Sequence, residues 1–339
     1  MTCVIQEDWE PRSAPDIYLT RAYMAQYGSA TCRPMRFEYT EGSSAFYLPY
    51  LESMIHPYLP EAGTELRDME TAYGYGGCWT NCTDPGFLAS AMRALENCCR
   101  ERNIVAGFLR FHPLLGNHGW APGFRVSLER QTINVDLTDA DIWKNQVSQK
   151  NRNMIRKAER ESLSFHIDEG FHFLGDFQRL YGETMLRLGA DASYRFPDRF
   201  FRMLPEALGA NGFLVHCRYR DEIISSAVIM TWGKHGHYHL SGSKREFQAL
   251  APNNLMLYQT IVALKARGLE NFHLGGGTTP DSDDPLFKFK KAFSGNLRQF
   301  HIGRRVFLEK EYDRLKAIWT ERFPEKITAS GSKILFYRF

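Results

Sequence analysis

Three consecutive strand patterns in the second half of the chain constrain its fold most strongly. Segments 213–219, 223–232 and 237–243 are rich in apolar and β-branched residues, and short turns at 220–222 and 233–236 separate them. Such spacing predicts three adjacent antiparallel strands. A helix over 253–267, started by Pro252 and ended by Gly268, and a short strand over 272–274 follow. This order predicts a mixed α/β (α+β) class.

The stretch 271–293, NFHLGGGTTPDSDDPLFKFKKAF, carries the most specific motif of the chain. Its strand ends in glycines 275–277, and Asp284 followed by proline predicts the N-cap of a new helix. An apolar stripe is expected at Leu286, Phe289 and Phe293. Glycines let a ligand approach the backbone, and Lys290 at the edge of the stripe is a fixed positive charge. The motif indicates a site for an anionic or carbonyl ligand, with an ordinary turn and surface helix as the alternative.

Length and composition narrow the class of protein. At 339 residues two domains are expected, and 43% hydrophobic residues suffice for packed cores. No apolar run reaches 18 residues, and the N-terminal segment lacks the apolar core of a secretory signal, so no membrane span and a cytoplasmic location are expected. Seven cysteines form no CxxC pair, and the spacing of Cys78 and Cys82 matches no zinc knuckle. Reduced thiols and no metal site are therefore expected.

Two segments of the first half carry candidate ligand contacts. Tyr73 and Tyr75 alternate with glycines at 73–77, a pattern in which rings stack on a ligand while the backbone comes close. A strand over 104–111 runs into His112, a candidate ligand or base. The alternatives are a tight packed loop and a structural histidine. Near the other end of the chain, a last strand is predicted over 306–308 and an amphipathic helix over 309–321.

A basic segment follows a predicted helix start at 138–139. Arg152, Arg156 and Arg160 recur every four residues and share one helix face, with Lys157 beside them. Like charges at that spacing cost a few tenths of a kcal/mol per pair (~0.2–0.5). The ridge suits a phosphate-bearing ligand, and a merely solvated face is the alternative.

These motifs together resemble the Fem family, the aminoacyltransferases that build peptidoglycan interpeptide bridges. The likeness covers about three quarters of the chain and lies in IRKA (155–158), SGS (241–243), APNN (251–254), LGGG (274–277), DDPLFKFKK (283–291), YGYGG (73–77) and LRFHP (109–113). It implies two tandem GNAT-like domains with a cleft between them. The first would span 1–137, completed by 308–339, and the second would span 138–307 with the donor and catalytic motifs.

The resemblance also implies roles for individual residues. The Phe289-Lys290 pair would lie beside the reacting ester, where an ammonium stabilises the oxyanion by ~3–4 kcal/mol. Substrate contacts are expected from Tyr73, Tyr75, Arg110, His112, Arg195, Tyr238 and Asp284. Phosphate or tRNA contacts are expected from Arg152, Arg156, Lys157, Arg160 and Asn254. The general base stays open: His112 and Asp284 are candidates, and the leaving ribose is a third group that could shuttle the proton.

The acceptor side of the chain departs from the family pattern. His112 stands where the bridge-forming enzymes have an acceptor-binding Asp, and Phe200 and Leu240 stand where they have tyrosines. Arg195 matches the family arginine only after a shift of one residue. The expected acceptor is therefore an amine on a cell-wall, surface-polysaccharide or natural-product precursor other than the usual nucleotide-linked muropeptide.

Three functional hypotheses follow from the sequence. The first is tRNA-dependent aminoacyl transfer, with no resident cofactor. The second is an acyl-CoA-dependent N-acyltransferase, although segment 244–254 lacks the glycines with which ordinary GNAT enzymes hold the CoA pyrophosphate. The third is a catalytically silent binding protein, which the intact Phe289-Lys290 pair disfavours.

Overall fold

The computed structural model describes residues 2–9, 14–191 and 194–339, and it confirms the mixed class of helices and strands. The strands are β1 Thr2–Gln6, β2 Cys32–Glu41, β3 Ser44–Met54, β4 Arg67–Glu70, β5 Trp79–Thr80, β6 Ile104–Arg110, β7 Arg125–Asp136, β8 Ser164–Asp168, β9 Gly212–Tyr219, β10 Glu222–Trp232, β11 His235–Ser243, β12 Asn271–Gly275 and β13 Leu297–Val306. The helices are α1 Arg21–Ala25, α2 Pro85–Glu101, α3 Ile142–Asn145, α4 Gln149–Arg160, α5 Leu174–Arg187, α6 Asp198–Leu208, α7 Pro252–Ala266, α8 Pro285–Lys291, α9 Glu309–Arg322 and α10 Ile327–Ser330.

The chain forms two compact units. Met1–Glu129 and Phe300–Phe339 make the first, and Arg130–Gln299 makes the second. The boundaries expected from the sequence fall after residues 137 and 307, each eight residues later (137 minus 129, 307 minus 299). The difference arises because β7 and β13 each run across a boundary between the units.

The first unit is built on a mostly antiparallel sheet. β1 to β4 pair in chain order, β4 is parallel to β6, and β6 is antiparallel to β13. Helix α2 is capped by Asp84, whose side chain accepts from Phe87 N, and it buries its apolar face against this sheet. The C-terminal segment packs on the same unit, where Trp319 and Phe336 are buried beside Ile55.

The second unit contains the predicted meander, which is confirmed as β9, β10 and β11. β8 pairs antiparallel with β9, β11 is parallel to β12, and β12 is antiparallel to β7. Helix α7 starts at Pro252 as predicted and packs its buried Leu255 and Ile261 with sheet residues Val215 and Ala227. Phe272 and Leu274 of β12 and Phe287 of α8 are buried in the same core.

The predicted strand over 306–308 is wrong in extent, because β13 runs over Leu297–Val306. Its alternating Phe300 and Ile302 are buried, and arginines occupy other positions of the strand. In the described ranges, no helix combines the length and apolar character that crossing a bilayer requires.

Candidate acyl-transfer site

Glycines 275–277, at the end of β12, form one side of the candidate site around Lys290. Gly275 has φ +77°, a left-handed conformation that side chains disfavour. A Cβ on Gly276 would lie 2.9 Å from the Gln131 carbonyl oxygen, and one on Gly277 would lie 2.5 Å from Asp284 Oδ1. Glycine is therefore required at both positions for the run to pack between β7 and the start of α8.

Asp284 fixes this run to helix α8. Its Oδ1 accepts a hydrogen bond from Phe287 N at 2.9 Å, which is the predicted N-cap. Its Oδ2 accepts from the backbone N–H groups of Thr278 and Thr279 at 3.0 Å each, and from both threonine hydroxyls. Burial would raise the pKa of Asp284, but these hydrogen bonds outweigh it and lower the pKa to about 2. A carboxylate with this pKa is a poor proton acceptor at neutral pH. The structural role of Asp284 is therefore to hold the segment after the glycine run against the start of α8.

Lys290 projects from α8 into the protein. Its side chain is only 8% exposed, and its Nζ donates a hydrogen bond to the Gly276 carbonyl oxygen at 2.8 Å. The same Nζ lies 5.9 Å from the centroid of the Tyr238 ring. Burial lowers the pKa of Lys290 to about 7, an effect that nearby Asp284 opposes and Arg130 reinforces. Ammonium and neutral amine are therefore both populated near neutral pH.

Arg130 is a site residue that the sequence did not indicate. Its Nη1 donates to the Gly277 carbonyl oxygen at 2.8 Å, so two cationic side chains hold the carbonyls of consecutive glycines. Arg130 is 147 residues from Gly277 in the chain, and only the pairing of β7 with β12 brings them together. No local motif contains that information.

The inward face of α8 differs from the predicted stripe. Leu286 is 38% exposed, whereas Phe287 and Lys290 are buried. Phe289 is half-buried and meets Phe293 edge-to-face at 5.4 Å. The prediction of Leu286 in the stripe is wrong, because the cap at Asp284 turns the helix so that positions 287 and 290 point inward.

Tyr238 on β11 is a partly buried neighbour of Lys290. Burial raises the pKa of Tyr238 to about 12, although a hydrogen bond with Ser241 opposes the rise. Its phenol is therefore neutral near pH 7, and it offers a ring face to the ammonium.

The basic residues of α4 do not all face solvent. Arg152 Nη1 donates to the carbonyl oxygens of Trp143 and Val147 at 2.8 Å each, so its guanidinium closes the end of α3. Arg156 is exposed and stacks over the Trp143 ring at 5.4 Å. Arg160 is exposed and Lys157 is half-buried. The exposed cations of this face are thus Arg156 and Arg160.

Two further candidates of the second unit make internal contacts. Asn254, in the first turn of α7, donates from Nδ2 to Asn151 Oδ1 at 2.7 Å. Arg195 is exposed and donates to the Ala190 carbonyl oxygen at 3.2 Å.

The other candidates lie in the first unit. Arg110 pairs with Glu70 at 3.0 Å, and the carbonyl oxygen of Tyr73 accepts from the Tyr23 hydroxyl at 2.7 Å. Tyr75 meets the His112 ring edge-to-face at 6.0 Å.

His112 is buried beside an aspartate. Its Nδ1 accepts from Leu114 N at 3.2 Å, which assigns the ring proton of the neutral form to Nε2. That Nε2 lies 3.3 Å from Asp16 Oδ2. The first unit therefore contains a histidine–aspartate pair held by its own loop.

Comparisons with known proteins agree with the fold. Residues 145–291 match the family model described as an acetyltransferase (GNAT) domain. No curated protein matches the sequence. The crystal structure of FemX superposes with a TM-score of 0.69 at 14% identity, over 89% of this chain and 96% of that one.

Two more solved structures share the fold. L-PGS from Bacillus licheniformis superposes with a TM-score of 0.55 at 13% identity, over 85% of this chain and 87% of that one. The C-terminal domain of a putative lysylphosphatidylglycerol synthetase from Agrobacterium fabrum gives 0.52 at 14% identity, over 81% and 85%. The chain has a Fem-like tandem GNAT fold and carries an acyltransferase domain of the GNAT class at residues 145–291.

Proposed function

We propose that the protein transfers an aminoacyl group from aminoacyl-tRNA to an amine acceptor, with Lys290 at the reacting carbonyl. The observation that carries the proposal is the buried Lys290 ammonium beside the glycine run, hydrogen-bonded to the Gly276 carbonyl oxygen. In the reaction the amine nitrogen attacks the ester carbonyl carbon and the carbonyl oxygen becomes an oxyanion. Collapse breaks the bond to the ribose oxygen, which receives the proton that the nitrogen loses.

The buried Lys290 ammonium can stabilise the negative charge of this oxyanion. It has three N–H donors, of which one is directed at Gly276, so donors remain for an oxyanion. Burial strengthens an interaction between opposite charges relative to water. The same burial lowers the pKa of Lys290, so the cation is also easily lost above neutral pH.

The donor proposal rests on two further features. Exposed Arg156 and Arg160 on α4 offer a basic face for nucleic-acid phosphates, with half-buried Lys157 between them. The name of one structural relative, a putative lysylphosphatidylglycerol synthetase, includes a lysyl group, which supports an aminoacyl donor. An aminoacyl ester formed on tRNA in the cytoplasm is the donor that fits both features.

The second candidate is an acyl-CoA-dependent N-acyltransferase. The family match to an acetyltransferase domain and the start of α7 favour it. Ala251 precedes this 15-residue helix with φ +58° and no side chain caps its first turn, a geometry that suits a bound pyrophosphate.

Donor labelling separates the two candidates. The purified protein receives labelled aminoacyl-tRNA or labelled acyl-CoA in separate reactions with a mixture of amines. The proposal predicts label on an amine from aminoacyl-tRNA only. Transfer from acyl-CoA alone would establish the second candidate, and transfer from neither donor would contradict both.

A further inference from the structure

A cleft on the second unit remains outside the proposed chemistry. It has a volume of about 580 Å³ and lies at the turn between β9 and β10, between the start of α5 and the segment after β11. Pockets for small ligands measure about 300–1,000 Å³, so the cleft is large enough for one nucleotide.

Three aromatic rings line the cleft. Phe173 is 37% exposed, and the half-buried Tyr219 and Phe247 lie with ring centroids 5.8 Å apart. Partly exposed aromatic faces in a concave surface favour a flat ligand. Nucleobases stack on such rings, and any of the bases can do so.

Two arginines of the cleft have no ion pair among the described residues. The Arg218 guanidinium lies 4.6 Å from the centroid of the Phe173 ring, and its Nε is buried with no hydrogen-bond partner in the described part of the chain. Arg220 lies over the Tyr219 ring at 5.2 Å. A buried donor without a partner is costly, and a ligand phosphate would satisfy it.

Three of the other charged residues that line the cleft have ion-pair partners, either in the cleft or just outside it. Arg179 pairs with Asp176 at 3.0 Å, and Lys244 pairs with Glu222. Asp221 stays beside the two arginines. A carboxylate accepts hydrogen bonds from the exocyclic amino group of cytosine. The cleft thus combines rings, cations and one acceptor.

The backbone at Arg220 adds an independent observation. Arg220 has φ +56°, in the left-handed region where glycine, asparagine or aspartate would be favoured. The chain keeps a long cationic side chain at a strained turn position that glycine would relax.

We propose that this cleft is a nucleotide subsite, in which Phe173, Tyr219 and Phe247 contact a base and Arg218 and Arg220 bind its phosphate. The inference rests on the proposed function, because it assigns the cleft to a nucleotide part of the donor. Phe213 on β9 pairs with Ile229 on β10, which in turn pairs with Tyr238, the neighbour of Lys290. Arg218 lies five residues further along β9 than Phe213, a distance of ~17 Å. The cleft therefore holds a part of the donor distant from the Lys290 ammonium.

Direct binding tests the subsite without any transfer reaction. Calorimetry of the full-length protein measures the affinities of inorganic phosphate, cytidine 5′-monophosphate, the trinucleotide CCA and adenosine 3′,5′-bisphosphate. The nucleotides are expected to bind at least about tenfold more tightly than phosphate. Tightest binding of CCA assigns the subsite to a tRNA end, and tightest binding of the bisphosphate assigns it to CoA. No nucleotide binding, or binding no tighter than that of phosphate, overturns the proposal.

Variants locate the binding. Arg220→Gly removes a cation and relaxes the turn, so nucleotide affinity should fall about tenfold or more while thermal stability does not fall. Arg218→Gln should weaken binding similarly. The matched control is Arg245→Gln, an exposed arginine outside the cleft, which should bind as the wild type does. Unchanged affinity in both cleft variants would place the nucleotide elsewhere and overturn the subsite, even if Lys290-dependent transfer is intact.

Discussion

Burial of Lys290 should make stability depend on pH. Its pKa is about 7 in the folded protein against 10.5 ordinarily. Because the folded-state value is the lower one, the unfolded chain binds more protons between pH 7 and 10.5, and the penalty of burial disappears as pH rises through that window. Lys290→Met should therefore raise the free energy of unfolding by roughly 2 kcal/mol more at pH 7 than at pH 9. Urea denaturation at the two pH values measures this difference, and equal effects would contradict the low pKa.

Asp284→Asn should weaken both the loop and the cation. An amide cannot replace a carboxylate that accepts from Phe287, Thr278 and Thr279, so the free energy of unfolding should fall by about 1–3 kcal/mol. Loss of the negative charge also lowers the pKa of Lys290 further, since Asp284 raises it. The alkaline loss of activity should then move to lower pH in a pH–rate profile.

Asp283→Asn is the control for this prediction. Asp283 is exposed and pairs with exposed Lys288 at 2.9 Å, so its loss should change stability by less than about 1 kcal/mol. A similar loss in the two variants would show that Asp284 acts only as one more surface charge.

For single residues of the site, the sequence predicts which ones are candidates but not which way their side chains face. The Asp284 cap and Lys290 are evident from the motif. Helix α8 has only seven residues, too few for hydrophobic periodicity to distinguish Leu286 from Phe287 as the inward residue. Arg130 needs the pairing of distant strands before it is recognisable.

Among the elements, the C-terminal segment offers the sharpest stability test. Arg338 Nε donates to Asp68 Oδ2 at 3.0 Å, and its other nitrogens contact Asp68 and Glu70. Arg338→Ala leaves the fully buried Asp68 charge without its cation and should cost about 3–5 kcal/mol of stability. Arg322→Ala, which removes an exposed pair with Glu61 at 2.7 Å, should cost less than about 1 kcal/mol. Denaturation midpoints compare the two, and equal losses would contradict a buried network.

Elements with strong local signals are predictable, and elements made by pairing are not. The meander of β9 to β11, the Asp84-capped helix α2 and helix α7, which begins at Pro252, follow from turns, helix-start signals and periodicity. β4 and β8 have four and five residues with several polar side chains, and they become strands only through their neighbours.

Across the whole molecule, the two units share one strand arrangement. In each, the described strands pair antiparallel except for a single parallel pair. The pairs are β4 with β6 and β11 with β12. The superposition on FemX covers 89% of this chain and shows the tandem fold, and the match of residues 145–291 to an acetyltransferase (GNAT) domain carries the acyltransferase class. The fold does not identify the acceptor, and the role of His112, which stands where the Fem-family pattern has an aspartate, stays a prediction from the sequence.

The most direct test of the account is the ratio of wild-type to Lys290→Ala transfer rates, measured with labelled aminoacyl-tRNA from pH 6 to 9. The ratio cancels the ionisation of the attacking amine, and Lys288→Ala, on the exposed face of α8, is the control. We expect a ratio of at least about ten at pH 6 that falls as pH rises through about 7, while the variant stays folded. A ratio near one at every pH would remove the Lys290 ammonium from the reaction.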